Sequence, residues 1–484
     1  MKRLICAALA LLLTLPAAGC NSGETTLQPI DTESSTDTTA PVTQPDIYAD
    51  LPTGDYTGEE LVFANEVESA SWAVLMLDCE TLTGEVLDNA VYNRNRTVEE
   101  KLGITIKVEE HVNAGRLKDA IIRNVMSGDD PYDVYDIPAD RSAALVLEDY
   151  FVSTDTLGID ISKPWWNTTV MDSLTFNDTC YSIAGDLSIM LWEASYGLMY
   201  NKTLADKLGL PDQYQLVRDG KFTLDSVHEA MSSAYEDTNG DTVVDTEDTF
   251  GLTGVLRLMT YSMVAGGLEI VPRGDDSLPI FPSPSERLIE MYEKIFDVYF
   301  DNPNVHIAGQ LVFKDISKNW HSLFTEGRAL YYFEPIGASK NLRDASFDYG
   351  FLPMPKYDED QEHYITPITE FAHVMHVTKA NDDIEMIGIA LENLAAESHK
   401  YVRDAYFEKV LDSKRTVDDE SIEMLEIIFE HQVFEPVLIY NWGKLPAMLE
   451  DSALARKREI TSGIASILPA IQSDLEKTAN YYGK

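Results

Sequence analysis

The sequence predicts a large α/β protein that ends in helices. Strand, helix, strand, helix and strand follow one another early in the folded body, the order of a parallel α/β sheet. A similar mixture recurs downstream, and from residue 398 onward the apolar spacing is almost wholly helical. At 484 residues the chain is too long for one sheet domain.

Each element rests on its own pattern. Residues 60–64 form a short apolar run that predicts a buried strand. Val86, Leu87, Ala90, Val91, Val98 and Leu102 keep helical spacing, and Gly103 stops the helix. Residues 104–108 alternate as a strand, 117–126 predict a helix stopped by Ser127-Gly128, and 133–137 predict a third strand. Further strands are predicted over 196–200, 328–333, 349–352 and 372–377. Helices are predicted over 202–208, 224–235, 384–396, 398–411, 420–431 and 458–478.

The beginning of the chain predicts export. Lys2 and Arg3 precede an apolar stretch, Leu4 to Leu15, too short for a bilayer and suited to a signal peptide. Leu15-Pro16-Ala17-Ala18-Gly19-Cys20 resembles a bacterial lipobox, which predicts cleavage after residue 19 and lipid on Cys20. Several acyl chains hold a protein on a membrane where one does not. Residues 20–56 then read as the lipidated cysteine and a Ser/Thr/Asp/Pro tether that buries too little apolar surface to order itself. Cys79 and Cys180 remain, and whether they pair is open.

Charge narrows the partners. Lys plus Arg is 37 against 82 for Asp plus Glu, a formal charge of −45. Losing Lys2 and Arg3 makes it −47; residues 21–52 carry −6 of that and the rest −41. Such acidity excludes a nucleic-acid protein and docking on anionic lipid through protein charge. It favours a neutral ligand over a strongly anionic one.

Five stretches, in order, resemble the extracellular solute-binding proteins of carbohydrate ABC transporters, the maltose-binding-like group. They are Asp88-Asn89-Ala90-Val91-Tyr92-Asn93-Arg94-Asn95 with Val98 to Leu102, Ser127 to Val134, Tyr196-Gly197-Leu198-Met199-Tyr200-Asn201-Lys202, Phe324-Thr325-Glu326-Gly327-Arg328-Ala329-Leu330, and Asp348 to Pro355. The resemblance covers about 57–484. It implies a periplasmic-binding-protein-like type II fold, two α/β lobes around a ligand cleft. One lobe is expected over 57–190 plus about 370–415, the other over about 191–369 plus 416–484. It also implies an oligosaccharide ligand, ABC permease subunits as partners, and a monomer lipid-anchored outside the cell membrane of a Gram-positive bacterium.

Sugar capture needs aromatic platforms and fixed polar groups. Loops beyond the carboxyl ends of strands are the places to seek them. Trp72 and Glu66 follow the first strand, Trp192 and Glu193 precede the Tyr-Asn-Lys strand, and Glu334 follows the strand over 328–333. Trp442 sits in a polar turn between late helices. Asp140 and Arg141 follow the third strand and resemble the family's hydroxyl-gripping pair; Tyr261 stands in a loop region where the family often has an aromatic.

One loop predicts a structural Ca²⁺. Asp237, Asn239, Asp241, Asp245 and Asp248, with the carbonyl of Val243, follow much of the EF-hand spacing, although Thr242 replaces the usual Gly and Asp248 the usual Glu. A solvated acidic turn is the other reading. No nucleophile, zinc or phosphate-loop motif stands out. The expected function is therefore capture, not catalysis. A two-carboxylate glycoside hydrolase, a binder of peptides or other small solutes, and a surface adhesin are the alternatives.

Overall fold

A computed structural model describes residues 46–67, 76–111, 114–308, 319–411 and 419–483. In chain order the strands are β1 (Glu60–Glu66), β2 (Thr105–His111), β3 (Val134–Pro138), β4 (Tyr196–Asn201), β5 (Phe250–Gly254), β6 (Val305–Ile307), β7 (Ala329–Pro335), β8 (Tyr349–Leu352), β9 (Thr366–Pro367), β10 (His373–His376) and β11 (Gln432–Val433). They form a four-stranded sheet, β10-β3-β1-β2, a five-stranded sheet, β6-β5-β7-β4-β8, and the small pair β11-β9.

In the first sheet β1 is parallel to β2 and β3, as the alternation of strands and helices predicts. The helix Val86–Leu102 ends on Gly103, whose φ of 77° lies in the left-handed region that glycine tolerates. β10 then returns some 235 residues later and pairs antiparallel with β3, His373 opposite Pro138. In the second sheet β5 lies parallel to β6 and β7, while β4 is antiparallel to β7 and β8.

The predicted strands and helices lie near their expected places, but no strand is predicted at β5, β6 or the two-residue β9 and β11. β5 is Phe-Gly-Leu-Thr-Gly, and glycine weakens a strand pattern. Both glycines are packing requirements: a Cβ on Gly251 would stand 2.5 Å from Met231 Cβ, and one on Gly254 2.7 Å from Phe333 Cβ. β6 is three residues long, too short to show a period.

The two sheets share apolar packing, with Tyr135 and Ile137 in the same cluster as Leu252, Leu330 and Phe333. Late helices reach both halves: Pro436–Tyr440 packs on Ala139–Leu147, Leu445–Leu454 on Leu258–Ala265, and Asp419–Glu430 on β8. Near the start of the described residues, Tyr48 stacks on Trp165 with centroids 5.8 Å apart, and Asn393 Nδ2 donates to Pro52 O at 3.0 Å. Cys79 and Cys180 are unpaired, Cys180 buried. No helix among the described residues is long and apolar enough to cross a membrane.

Candidate functional site

Between the helix that follows β3 and the start of the helix that follows β5 lies a cavity of about 370 Å³, within the range of small-ligand sites. One wall is the helix Ala139–Leu147, which starts directly after β3 and presents Asp140 and Arg141. Facing it is Arg257, at the start of the helix Leu258–Ala265 that follows β5. Glu370 and Phe371 enter from the segment between β9 and β10, and Tyr440 and Asn441 close the remaining side.

Charge is arranged asymmetrically around it. Arg257 is clamped: Nη2 donates to Glu370 Oε1 and Nη1 to Glu450 Oε2, both at 2.5 Å. Thr260 Oγ1 donates to the other oxygen of Glu450 at 2.7 Å, and Tyr261 hydroxyl to Glu370 Oε2 at 2.7 Å. Arg141 is looser. Its Nε lies 3.5 Å from Asp140 Oδ2, and its side chain is 57% exposed. Asp140 Oδ1 is buried with no protein partner. Burial pushes the Asp140 carboxyl up to about 6; Arg141 opposes that rise and Glu370 adds to it. Phe371, 36% exposed, puts an apolar ring at the rim. The set offers hydroxyl acceptors, one exposed guanidinium and a ring face, with no nucleophile paired to a base.

Of the sequence-predicted residues, Asp140 and Arg141 line the cavity. Tyr261 touches its wall through Glu370 and stands in the helix Leu258–Ala265, not the expected loop. Its ring packs 4.6 Å from Tyr196, which packs 4.8 Å from Phe333 beside Glu334. Glu334 accepts from Trp320 Nε1 at 2.7 Å, and burial raises its carboxyl to about 7.

The others are drawn elsewhere. Glu66 is sealed against His373, its Oε2 3.5 Å from Nε2. Trp192 packs among Leu87, Val91 and Val402, with Tyr406 5.1 Å away, and Glu193 is buried beside Tyr406. Trp442 is 1% exposed and donates to Thr478 Oγ1 at 3.0 Å. It stacks behind Tyr440, 5.3 Å away, so its neighbour and not its own ring reaches the cavity. Trp72 and Cys20 lie outside the described residues.

The acidic loop closes on itself through a bridge between Glu236 and Thr249. Asp237 accepts from Gly240 N at 2.7 Å and Thr242 N at 2.9 Å; Asn239 accepts from Asp241 N, and Asp241 from Val243 N. Asp245 accepts from Glu247 N, and Asp248 from Asp245 N at 3.0 Å. Thr242 takes a φ of 62°, the backbone that the EF-hand pattern gives to glycine. As placed, these side chains serve the loop's own amides, and among the described residues no three His, Cys, Asp or Glu side chains gather as a metal site needs.

Comparison with known proteins fixes the class. The model of the bacterial extracellular solute-binding protein family matches residues 96–383, more than half of the chain, and the chain belongs to that family. No curated protein matches it. Among solved structures it is similar to a cyclo/maltodextrin-binding protein complexed with maltotetraose, at TM-score 0.55 and 14% identity, covering 87% of this chain and 96% of that one. A second is an ABC substrate-binding protein from Listeria monocytogenes in complex with cycloalternan, at TM-score 0.53 and 13% identity, covering 89% and 100%. The apo-form of RafE from Streptococcus pneumoniae follows at TM-score 0.51 and 14% identity, covering 89% and 98%. At such identity the likeness establishes the two-lobed fold of these proteins and nothing finer.

Arg257, Glu370, Phe371 and Tyr440 went unread in the sequence. Arg257 follows the unrecognised β5. Glu370 and Phe371 sit just before a predicted strand, and the useful signal was their place at the chain's return between sheets.

Proposed function

We propose that the protein captures a neutral oligosaccharide in this cavity and delivers it to an ABC importer. The observation that carries the reading is the cavity itself: it is walled by the helix that follows β3, the start of the helix that follows β5 and the late helices, with acceptors, an exposed Arg141 and Phe371 in its lining. A sugar presents hydroxyls and an apolar face, and closing the halves over it buries both. Similarity to structures holding maltotetraose and cycloalternan supports a glucan-like ligand. We read the protein as a binder without catalytic turnover, working as a monomer.

A calorimetric and thermal-shift panel including maltotetraose, cycloalternan and short peptides tests this. One saccharide should bind and raise Tm without release of reducing sugar. Binding of peptides alone, or hydrolysis of the sugar, would sink the reading.

Anchoring by lipid on Cys20, with residues 21–56 as spacer, is the second part of the proposal, supported by the lipobox-like run. Cys20→Ser should move the protein from the membrane fraction to the medium. A structural Ca²⁺ at Asp237, Asn239, Asp241, Val243, Asp245 and Asp248 remains a proposal resting on spacing. Titration of EDTA-stripped protein with Ca²⁺ should give heat and a higher Tm; the absence of both would dismiss it.

A further inference from the structure

Glu370 belongs to both halves of the molecule at once. Its main chain is tied to the four-stranded half: Asp140 N donates to Glu370 O at 3.1 Å, and Ala139 N to Ala372 O at 2.9 Å. Its side chain is tied to the five-stranded half. One carboxylate oxygen holds Arg257 and the other the Tyr261 hydroxyl, at 2.5 and 2.7 Å. Both partners stand on one helix, at its start and within its first turn. The carboxylate is 4% exposed, so water does not easily take over either bond. The neighbouring residue, Phe371, is the exposed ring of the cavity.

We propose that Glu370 is a positioning residue that couples occupancy of the cavity to the seating of the five-stranded half. The inference rests on the cavity being the ligand site. A ligand held by Asp140, Arg141 and Phe371 sets the main chain at 370. The two-pronged carboxylate passes that setting to Arg257 and Tyr261, and so to the helix Leu258–Ala265. Charge-assisted bonds in a sealed site are short and directional, which suits them to transmit a small shift. A purely structural ion pair predicts lost stability in its own half and nothing in the other.

Glu370→Gln keeps the shape and removes the charge; Tyr261→Phe removes one donor and guards against a folding failure of the first variant. Two readouts apply to the full-length protein: calorimetric affinity for maltotetraose and cycloalternan, and amide hydrogen exchange without sugar. Glu370→Gln should weaken the bound sugar about tenfold or more, and Tyr261→Phe about threefold. In sugar-free protein, amides of 139–147 and 258–265 should lose protection together. Affinity within about twofold in both variants, or loss confined to 258–265, overturns the coupling. Where the wild type binds neither sugar, the functional reading fails for those sugars and the exchange result alone decides the coupling.

Discussion

Three residues apart on the returning chain stand two charge networks of opposite character. At Glu370 the acids and guanidiniums border a cavity, and Arg257 and Arg141 keep 32% and 57% of their side chains exposed. At His373 the imidazole lies between Asp136, 3.1 Å from Nδ1, and Glu66, 3.5 Å from Nε2, and its side chain is 0% exposed. The chemistry is similar, but access differs. Sealed charges fix the return strand to β1 and β3, because separating them strands a charge without water. On the vented side the exposed Arg141 is open to a ligand hydroxyl, while the Glu370 carboxylate behind it stays buried. The sequence reading placed Glu66 with the ligand groups; its burial against His373 assigns it to the sealed set.

The comparison breaks most sharply at the sealed positions. His373→Leu leaves two buried carboxylates uncompensated and should cost about 3–5 kcal/mol in chemical denaturation. Trp442→Ala empties a core site and should cost a similar ~3–5 kcal/mol. Were either to weaken sugar binding while leaving stability intact, the division between sealed and vented groups would fail. Next comes pH. Burial works against the imidazolium, but Asp136 and Glu66 overcome it and raise His373 from 6.5 to about 9. The folded state therefore holds this proton more tightly than the unfolded chain. The stabilisation is whole below 6.5 and withdrawn as pH rises through about 9, about 3 kcal/mol at most. Urea midpoints across that window should fall in the wild type and stay flat in His373→Leu.

Smaller effects sharpen the vented side. Phe371→Ala should leave stability within about 0.5 kcal/mol while weakening the bound saccharide about tenfold. If the ionised Asp140 accepts ligand hydroxyls, affinity should decline as pH falls through about 6, and Asp140→Asn should flatten that profile. An affinity that ignores pH between 5 and 7 in both proteins removes Asp140 from the contact set.

Much of the fold was legible because burial leaves a period in the sequence. The helix Val86–Leu102 and the strand Tyr349–Leu352 fall on their predicted bounds. β5 was hidden by the glycines its close packing demands. For the candidate cavity, Asp140 and Arg141 were legible since they follow a recognisable strand. Glu370 was not, for its partner Arg257 lies 113 residues away and only the closed topology brings them together. Tryptophan misled: Trp192 and Trp442 were singled out for position, yet both rings are spent on core packing. Among 82 acids, a lone carboxylate carries little information until its neighbours are known.

The docking of Tyr48 and Pro52 has a mechanical consequence. Tyr48 stacks on Trp165, Lys400 lies over the Tyr48 ring at 5.4 Å, and Asn393 grips Pro52. A load arriving at the start of the body is thus delivered into the four-stranded half. The five-stranded half meets that load second, through the apolar packing the two halves share.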